Sequence, residues 1–188
     1  MKRQEAPGQL EVIRSFVNTL DLEHGVDLLD TPPGLADWLA QQLPGLGPST
    51  PSEQHRRSTV ALRDALRTVL AGGPAGGRDR PSALDALNRI TTRLPIRLSF
   101  TGTMTPRLAP TGRGGDVALV RLLEIVLVAA IDGTWVRLKM CPANDCRWVF
   151  YDNARNRKGV WCQMTECGNR RKVREHRSRR RATPAPPP

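Results

Sequence analysis

All four cysteines of this 188-residue chain lie between positions 141 and 167, as two pairs: Cys141 with Cys146, and Cys162 with Cys167. Each pair encloses four residues, and 15 residues separate the pairs. A spacing that short lets one turn carry two sulfurs to a single metal ion. Two such turns make the closed, tetrahedral, all-cysteine cage typical of structural Zn2+. Four thiolates leave no open coordination position, so the expected ion is architectural. Two disulfides would need the same four residues. However, Met1 to Gly8 is charged and proline-containing with no apolar run behind it, so nothing reads as a secretory signal. The expected setting is a reducing cytoplasm. A Cys–His nucleophilic pair would require a cysteine taken out of the cage. His176 falls on the helix side opposite Cys167, and His24 and His55 are isolated.

Charge is concentrated around the same stretch. Residues 1–136 carry 15 Lys/Arg against 14 Asp/Glu, whereas residues 137–188 carry 14 against 4. Nearly all of the net charge of +11 therefore belongs to the cysteine-containing third. Four thiolates and one Zn2+ would lower it only modestly, leaving a strong attraction for polyanions. On a helix running on from Cys167, Arg170, Arg174, Arg177 and Arg181 share one face about 60° wide and about 16 Å long. Arg171 and Lys172 flank that face. Glu175 is the only acid after Glu166, so internal pairing does not neutralise the row. A phosphate backbone is the natural counter-charge, and a major groove accepts a helix of this width; a solvated basic tail is the plainer alternative. Arg155, Arg157 and Lys158, between the cysteine pairs, offer a second phosphate-contacting edge or simply keep their loop in water. Trp148, Phe150 and Trp161 are expected to cover the thiolates.

Cys167-Gly168-Asn169-Arg170, preceded by Trp161-Cys162-Gln163-Met164 and by Phe150-Tyr151-Asp152-Asn153-Ala154-Arg155-Asn156-Arg157, resembles the CGNR zinc-finger family. The resemblance implies a treble-clef-like module with Cys141 and Cys146 on a knuckle and Cys162 and Cys167 around a helix start. Val17-Asn18-Thr19-Leu20-Asp21, followed by Asp27-Leu28-Leu29, is similar to the opening of the ABATE domain, the usual N-terminal companion of that finger. The combination implies a transcription-regulator-like protein whose N-terminal part is a sensor or assembly module. A motif shared across a family does not encode different target sites, so Asn169 is expected to hold the knuckle and Arg170 to play a mixed role.

The elements that must position this site follow from periodicity. Leu10, Ile13, Phe16, Val17 and Leu20 mark one amphipathic helix. Thr31 is placed to cap the next, with Pro32 and Pro33 in its first turn and Leu35, Trp38 and Leu39 inward. After the Pro44–Pro51 loop, Val60, Leu62, Leu66, Val69 and Leu70 line a further helix, with Arg56, Arg57, Arg63 and Arg67 expected outside. Beyond the Gly72–Gly77 break, Ser82 and Asp85 suggest a capping box ahead of Leu84, Leu87, Ile90 and Leu94. Ile96, Leu98 and Phe100 alternate with polar residues as a half-buried strand. Met104 to Leu108 is expected to be a second strand, at an edge because of Pro106. Asp116 is expected to cap an apolar core helix over Val117 to Ile131, too short and too charged to span a bilayer, stopped by Gly133. Thr134 to Met140 reads as a strand running straight into Cys141, so the finger should be docked to what precedes it.

The expected fold is α+β: a mainly helical N-terminal domain with a small sheet (1–133), then a four-cysteine zinc finger with a basic helix (134–181). Residues 182–188 form a proline-rich tail expected to be disordered. The leading functional expectation is double-stranded DNA binding in transcriptional control, with phosphate contacts dominating affinity. RNA binding by the same surface, or a protein-interaction adaptor with a purely architectural zinc, are the alternatives. No enzymatic role is expected, because residues 1–136 carry no nucleotide loop, metal triad or paired-acid motif.

Overall fold

The computed structural model describes residues 5–47, 50–73, 77–102, 104–111 and 115–173. Helix α1 (Leu10–Val17) buries Leu10, Ile13, Phe16 and Val17, four of the five residues its periodicity marks; the fifth, Leu20, falls beyond the helix in a strand. A short antiparallel pair follows, β1 (Leu20–Asp21) and β2 (Val26–Asp27), with Leu20 opposite Asp27. Helix α2 (Pro32–Gln42) starts as its sequence dictates: the Thr31 hydroxyl accepts the Gly34 N–H at 3.2 Å, and Leu35, Trp38 and Leu39 are buried. Helix α3 (Glu53–Ala71) is the longest described helix and opens with a reciprocal box between Ser52 and His55. It packs along α4 (Arg80–Arg93).

Strands β3 (Ile96–Thr101) and β4 (Thr105–Pro110) form an antiparallel hairpin with Leu98 opposite Leu108. Helix α5 (Gly115–Ile131) ends before Gly133, whose φ of 74° reverses the chain. A single 3-10 turn (Trp135–Arg137) leads into β5 (Leu138–Met140), which pairs antiparallel with β6 (Val149–Tyr151). One wide π turn (Met164–Gly168) then continues helically through residues 169–173. The described residues are thus helical with three small two-stranded sheets, an α+β fold.

Several expectations change. Arg63 and Arg67 lie inside, with Arg63 only 2% exposed. They share the α3 face of Leu66 and Leu70, and the chain leaving α1 supplies acceptors that no strand pairs. The capping box at Ser82 and Asp85 does not form: α4 begins at Arg80 with Pro81 in its first turn, Ala83 is its buried residue and Leu84 is exposed. The β3–β4 hairpin shows its apolar face to solvent, with Leu98 61% and Phe100 57% exposed. Its polar neighbour Arg107 turns toward α5 to meet Glu124 at 3.1 Å. Helix α5 is core on one side only: Leu119, Leu122, Ile125 and Ala129 are buried, while Leu127, Val128 and Ile131 are exposed. Asp116 sits in its first turn. The strand expected from Thr134 shortens to Leu138–Met140, and Val136 is exposed.

The core itself is continuous. Leu138, Val149 and Tyr151 of the β5–β6 hairpin belong to the same buried cluster as Ile13, Phe16, Leu66 and Leu122. The cysteine-bearing segment is therefore seated on the helical part by apolar burial. No described helix is long and apolar enough to cross a membrane.

Candidate metal centre

Strand β5 delivers Cys141, whose N–H donates to the Trp148 carbonyl at 2.9 Å. The Ala143 carbonyl accepts the N–H groups of Cys146 and Arg147, both at 3.0 Å, closing a tight knuckle. Arg147 takes a φ of 53°, which turns the chain out of the knuckle and into β6. The second pair sits on the π turn: Cys162 precedes it and Cys167 lies within it. Knuckle first, helix start second is the arrangement of a treble clef. Gly168 lets the chain pass close to its neighbours: a Cβ there would meet Met164 Sδ at 2.5 Å and Trp161 Cδ1 at 3.3 Å, so the Met164 thioether would have to move.

The four sulfurs lie within 4.8 Å of one another, and all four residues are buried. Cys146 Sγ is 3.6 Å from Cys162 Sγ, which is 3.7 Å from Cys167 Sγ. A tetrahedron with Zn–S bonds of about 2.3 Å has edges of about 3.8 Å, so these separations fit a four-coordinate ion. They are far too long for disulfides, and all four cysteines are free. Electrostatics points the same way. Donation from Cys146 and Cys162 depresses the Cys141 thiol, while Cys146 and Cys162 are pushed up, first by the hydrogen bonds they give Cys141. The sulfurs compete for one negative charge, and a bound dication is what lets all four ionise. The cluster is a metal-binding site by donor type, geometry and burial.

Its surroundings are specific. Arg170 donates to Cys167 Sγ at 3.2 Å and to Glu23 Oε1 at 3.0 Å, with Asp145 Oδ2 at 4.0 Å. The Cys167 sulfur, before the acids, raises this guanidinium's pKa further. Within these contacts Arg170 is a clasp between the metal cage and the β1–β2 turn. Trp148, Trp161 and Ala143 pack against the cysteine cluster and Phe150 is buried within it, as cover. Arg171 lies 5.7 Å from the centre of the Trp161 ring. Asn169 is exposed, and the knuckle is closed by the main-chain bonds to the Ala143 carbonyl.

Of the expected nucleic-acid residues, Arg171 and Lys172 are exposed at the start of the C-terminal helix, and Arg157 and Lys158 are exposed on the loop after β6. Arg174, Arg177 and Arg181 lie outside the described residues, as do His176 and the tail 182–188. The loop of Arg155, Arg157 and Lys158 is built on the buried Asp152, which accepts the N–H groups of Ala154 and Gly159 at 3.0 and 2.8 Å and the Lys139 ammonium at 2.6 Å. Burial raises the Asp152 pKa, but the Lys139 bond and the two N–H groups outweigh it and hold the carboxyl below its usual range.

Sequence periodicity misses the joint between the two parts. Asn18 Nδ2 donates to the Val149 carbonyl and Asn18 Oδ1 accepts the Val149 N–H, both at 2.8 Å. One amide thus does for the free edge of β6 what a third strand would. Arg63 bridges Asp27 at 2.5 Å, Asp64 at 2.9 Å and Thr19 at 3.3 Å. Arg67 donates to the carbonyls of Val17, Leu20 and Arg147. The signal for this joint was the Val17-Asn18-Thr19-Leu20-Asp21 stretch, whose polar residues have no place in a helix face.

Family models match both parts of the chain. Residues 11–134 match ABATE, described as "Putative stress-induced transcription regulator". The chain belongs to the ABATE family. Residues 137–180 match the CGNR zinc finger, so the order is ABATE first and finger second. A comparison with curated proteins finds no match. Asn18 on Val149, Arg67 on Arg147 and Arg170 on Glu23 thus join the ABATE part to its CGNR finger, while Arg63 braces the ABATE side of that joint.

Proposed function

We propose that the protein is a cytoplasmic, zinc-dependent transcriptional regulator that binds double-stranded DNA through the CGNR finger, with no catalytic activity of its own. The observation that carries this reading is a buried four-sulfur cage from which a helix emerges at the head of the chain's basic segment. Cys141, Cys146, Cys162 and Cys167 would hold the ion, which supplies cross-linking and charge compensation. A closed thiolate cage presents no site for water or substrate, which favours an architectural role over catalysis. Arg171 and Lys172, followed in sequence by Arg174, Arg177 and Arg181, supply the phosphate-seeking charge. Arg157 and Lys158 supply a second edge on the Asp152 loop. Arg170, already engaged by Cys167 and Glu23, contributes by orienting the helix.

The test is binding of the zinc-loaded protein to a mixed-sequence duplex across a range of salt. With about four to six phosphate contacts, log affinity should fall against log salt with a slope of roughly −4 to −5. An Arg174→Ala/Arg177→Ala double variant should bind more weakly, with a slope shallower by roughly 2, and retain its full zinc content. A flat slope would point to a protein-interaction adaptor instead. Tighter binding to single-stranded or A-form RNA than to duplex would point to an RNA partner.

A further inference from the structure

A cavity of about 470 Å3 opens between the start of α1, strand β4 and the outer half of α5. That volume is within the roughly 300–1,000 Å3 typical of small-molecule sites. Its floor is apolar: Leu10, Ile125 and Ala129 are buried, and Val128 is half-exposed. One end is strongly charged. Glu124, largely buried, forms an ion pair with Arg107 Nε at 3.1 Å and accepts from Arg121, whose other amino group reaches Gln9 Oε1 at 2.8 Å. Two guanidiniums around one carboxylate leave that end with an excess positive charge. The other acid of the lining, Asp132, lies eight residues further along, about 12 Å by helical rise. It is engaged by the N–H and hydroxyl of Thr134 at 2.8 and 2.6 Å.

Placing such a cluster beside an apolar floor costs stability relative to plain hydrophobic packing, and a bound anion would offset part of that cost. Arg107 stands at the mouth on the hairpin, 45% exposed, where an incoming anion can reach it. We propose that this groove binds a small monoanionic amphiphile, a carboxylate with an aliphatic or aromatic body. The head pairs with Arg107 and Arg121 beside Glu124, and the body covers Ile125, Val128 and Ala129. The added carboxylate balances the excess charge, and the floor removes the body from water. Such binding requires no nucleic-acid contact by the finger, so it stands or falls separately from DNA binding.

Octanoate, octylammonium and octanol serve as probes, titrated calorimetrically into the full-length, zinc-loaded protein. The expected result is saturable binding of octanoate, one molecule per chain, and binding of octylammonium weaker by about tenfold or more. Arg107→Met should weaken octanoate by about tenfold, Arg107→Lys should retain most of the affinity, and Arg57→Met, outside this groove, should change nothing. Val128→Trp, at a half-exposed position that tolerates bulk, should block the body's seat while leaving zinc content and circular dichroism unchanged. The proposal is overturned by absence of saturable octanoate binding, by equal binding of the ammonium, or by wild-type affinity in both Arg107→Met and Val128→Trp.

Discussion

Asn18 ties the two halves of the chain together with one side chain. Its amide is buried, and both its donor and acceptor are spent on the main chain of Val149. Truncating it leaves a backbone N–H and a carbonyl stranded without water, at roughly 1–3 kcal/mol each. Asn18→Ala should therefore cost roughly 2–5 kcal/mol and lower the melting temperature by roughly 5–15 °C for a chain of this size. Asn156→Ala is the matched control, because that amide holds only the Lys158 N–H on an exposed loop and should stay within about 0.5 kcal/mol of wild type. Melting curves of the two variants that coincide would mean the Val149 edge is satisfied some other way. Arg63 illustrates the same economy: Asp27, Asp64 and Thr19 converge on a guanidinium buried beside the β1–β2 pair; burial raises the Asp27 pKa, but the Arg63 bond, the Leu29 N–H and the charges of Arg63 and Arg56 together hold it below its usual value.

The loop after β6 shows how one carboxylate sets the shape of an element. Asp152 gathers the N–H groups of Ala154 and Gly159, and Lys139 ties the same carboxylate to the carbonyls of Arg157 and Gly159. A Cβ at Gly159 would lie 2.7 Å from Asp152 Oδ1 and 2.8 Å from its Cγ, against a group fixed by three bonds. Gly159→Ala should thus break the loop's closure at a cost of roughly 1–3 kcal/mol, read as faster amide exchange at Ala154 and Gly159. Gly168→Ala should be milder, because the nearest atom is the thioether of the exposed Met164, which can swing away. Equal exchange rates in Gly159→Ala and wild type would remove Asp152 as the organiser. Much of this level was legible beforehand: the cage spacing, the Thr31 cap, the α1 stripe and the Gly133 stop are local rules, and the sequence carries local rules openly. What was not legible depended on distant partners. Arg63 and Arg67 look like surface residues until the chain leaving α1 brings unpaired carbonyls and Asp27 against α3. Leu98 and Phe100 look like core until Arg107 turns the other face of the hairpin toward Glu124. Ser82 reads as a cap, yet α4 already opens at Arg80, with Asp79 at the cap position and Pro81 in the first turn.

At the scale of the whole molecule, the β5–β6 hairpin of the finger shares the hydrophobic core of the ABATE part while its other face carries the separate cysteine cluster, and the metal should therefore bear on both. Leu138, Val149 and Tyr151 descend from the cage into the cluster around Ile13 and Phe16, while Arg170 and Glu23 clasp the two parts beside it. An ion that binds only the folded chain stabilises whatever folds with it. Structural zinc in small modules contributes on the order of 10 kcal/mol of apparent folding energy. If the finger hung on a linker, chelation would erase one transition and leave the ABATE melt where it was. With a shared core, withdrawal of the ion should move the ABATE melt as well, downward by roughly 10 °C or more, since each lost kcal/mol is worth roughly 2–4 °C at this size. Differential scanning calorimetry before and after chelation checks this, with near-ultraviolet circular dichroism reporting on Trp148 and Trp161 over the cage and Trp38 in the core. The same loss should follow from Cys162→Ser without any chelator. An unmoved high-temperature transition in both cases would show that Asn18, Arg67 and the β5–β6 apolar residues dock the hairpin without coupling it, and the two parts would then have to be treated as independent folding units.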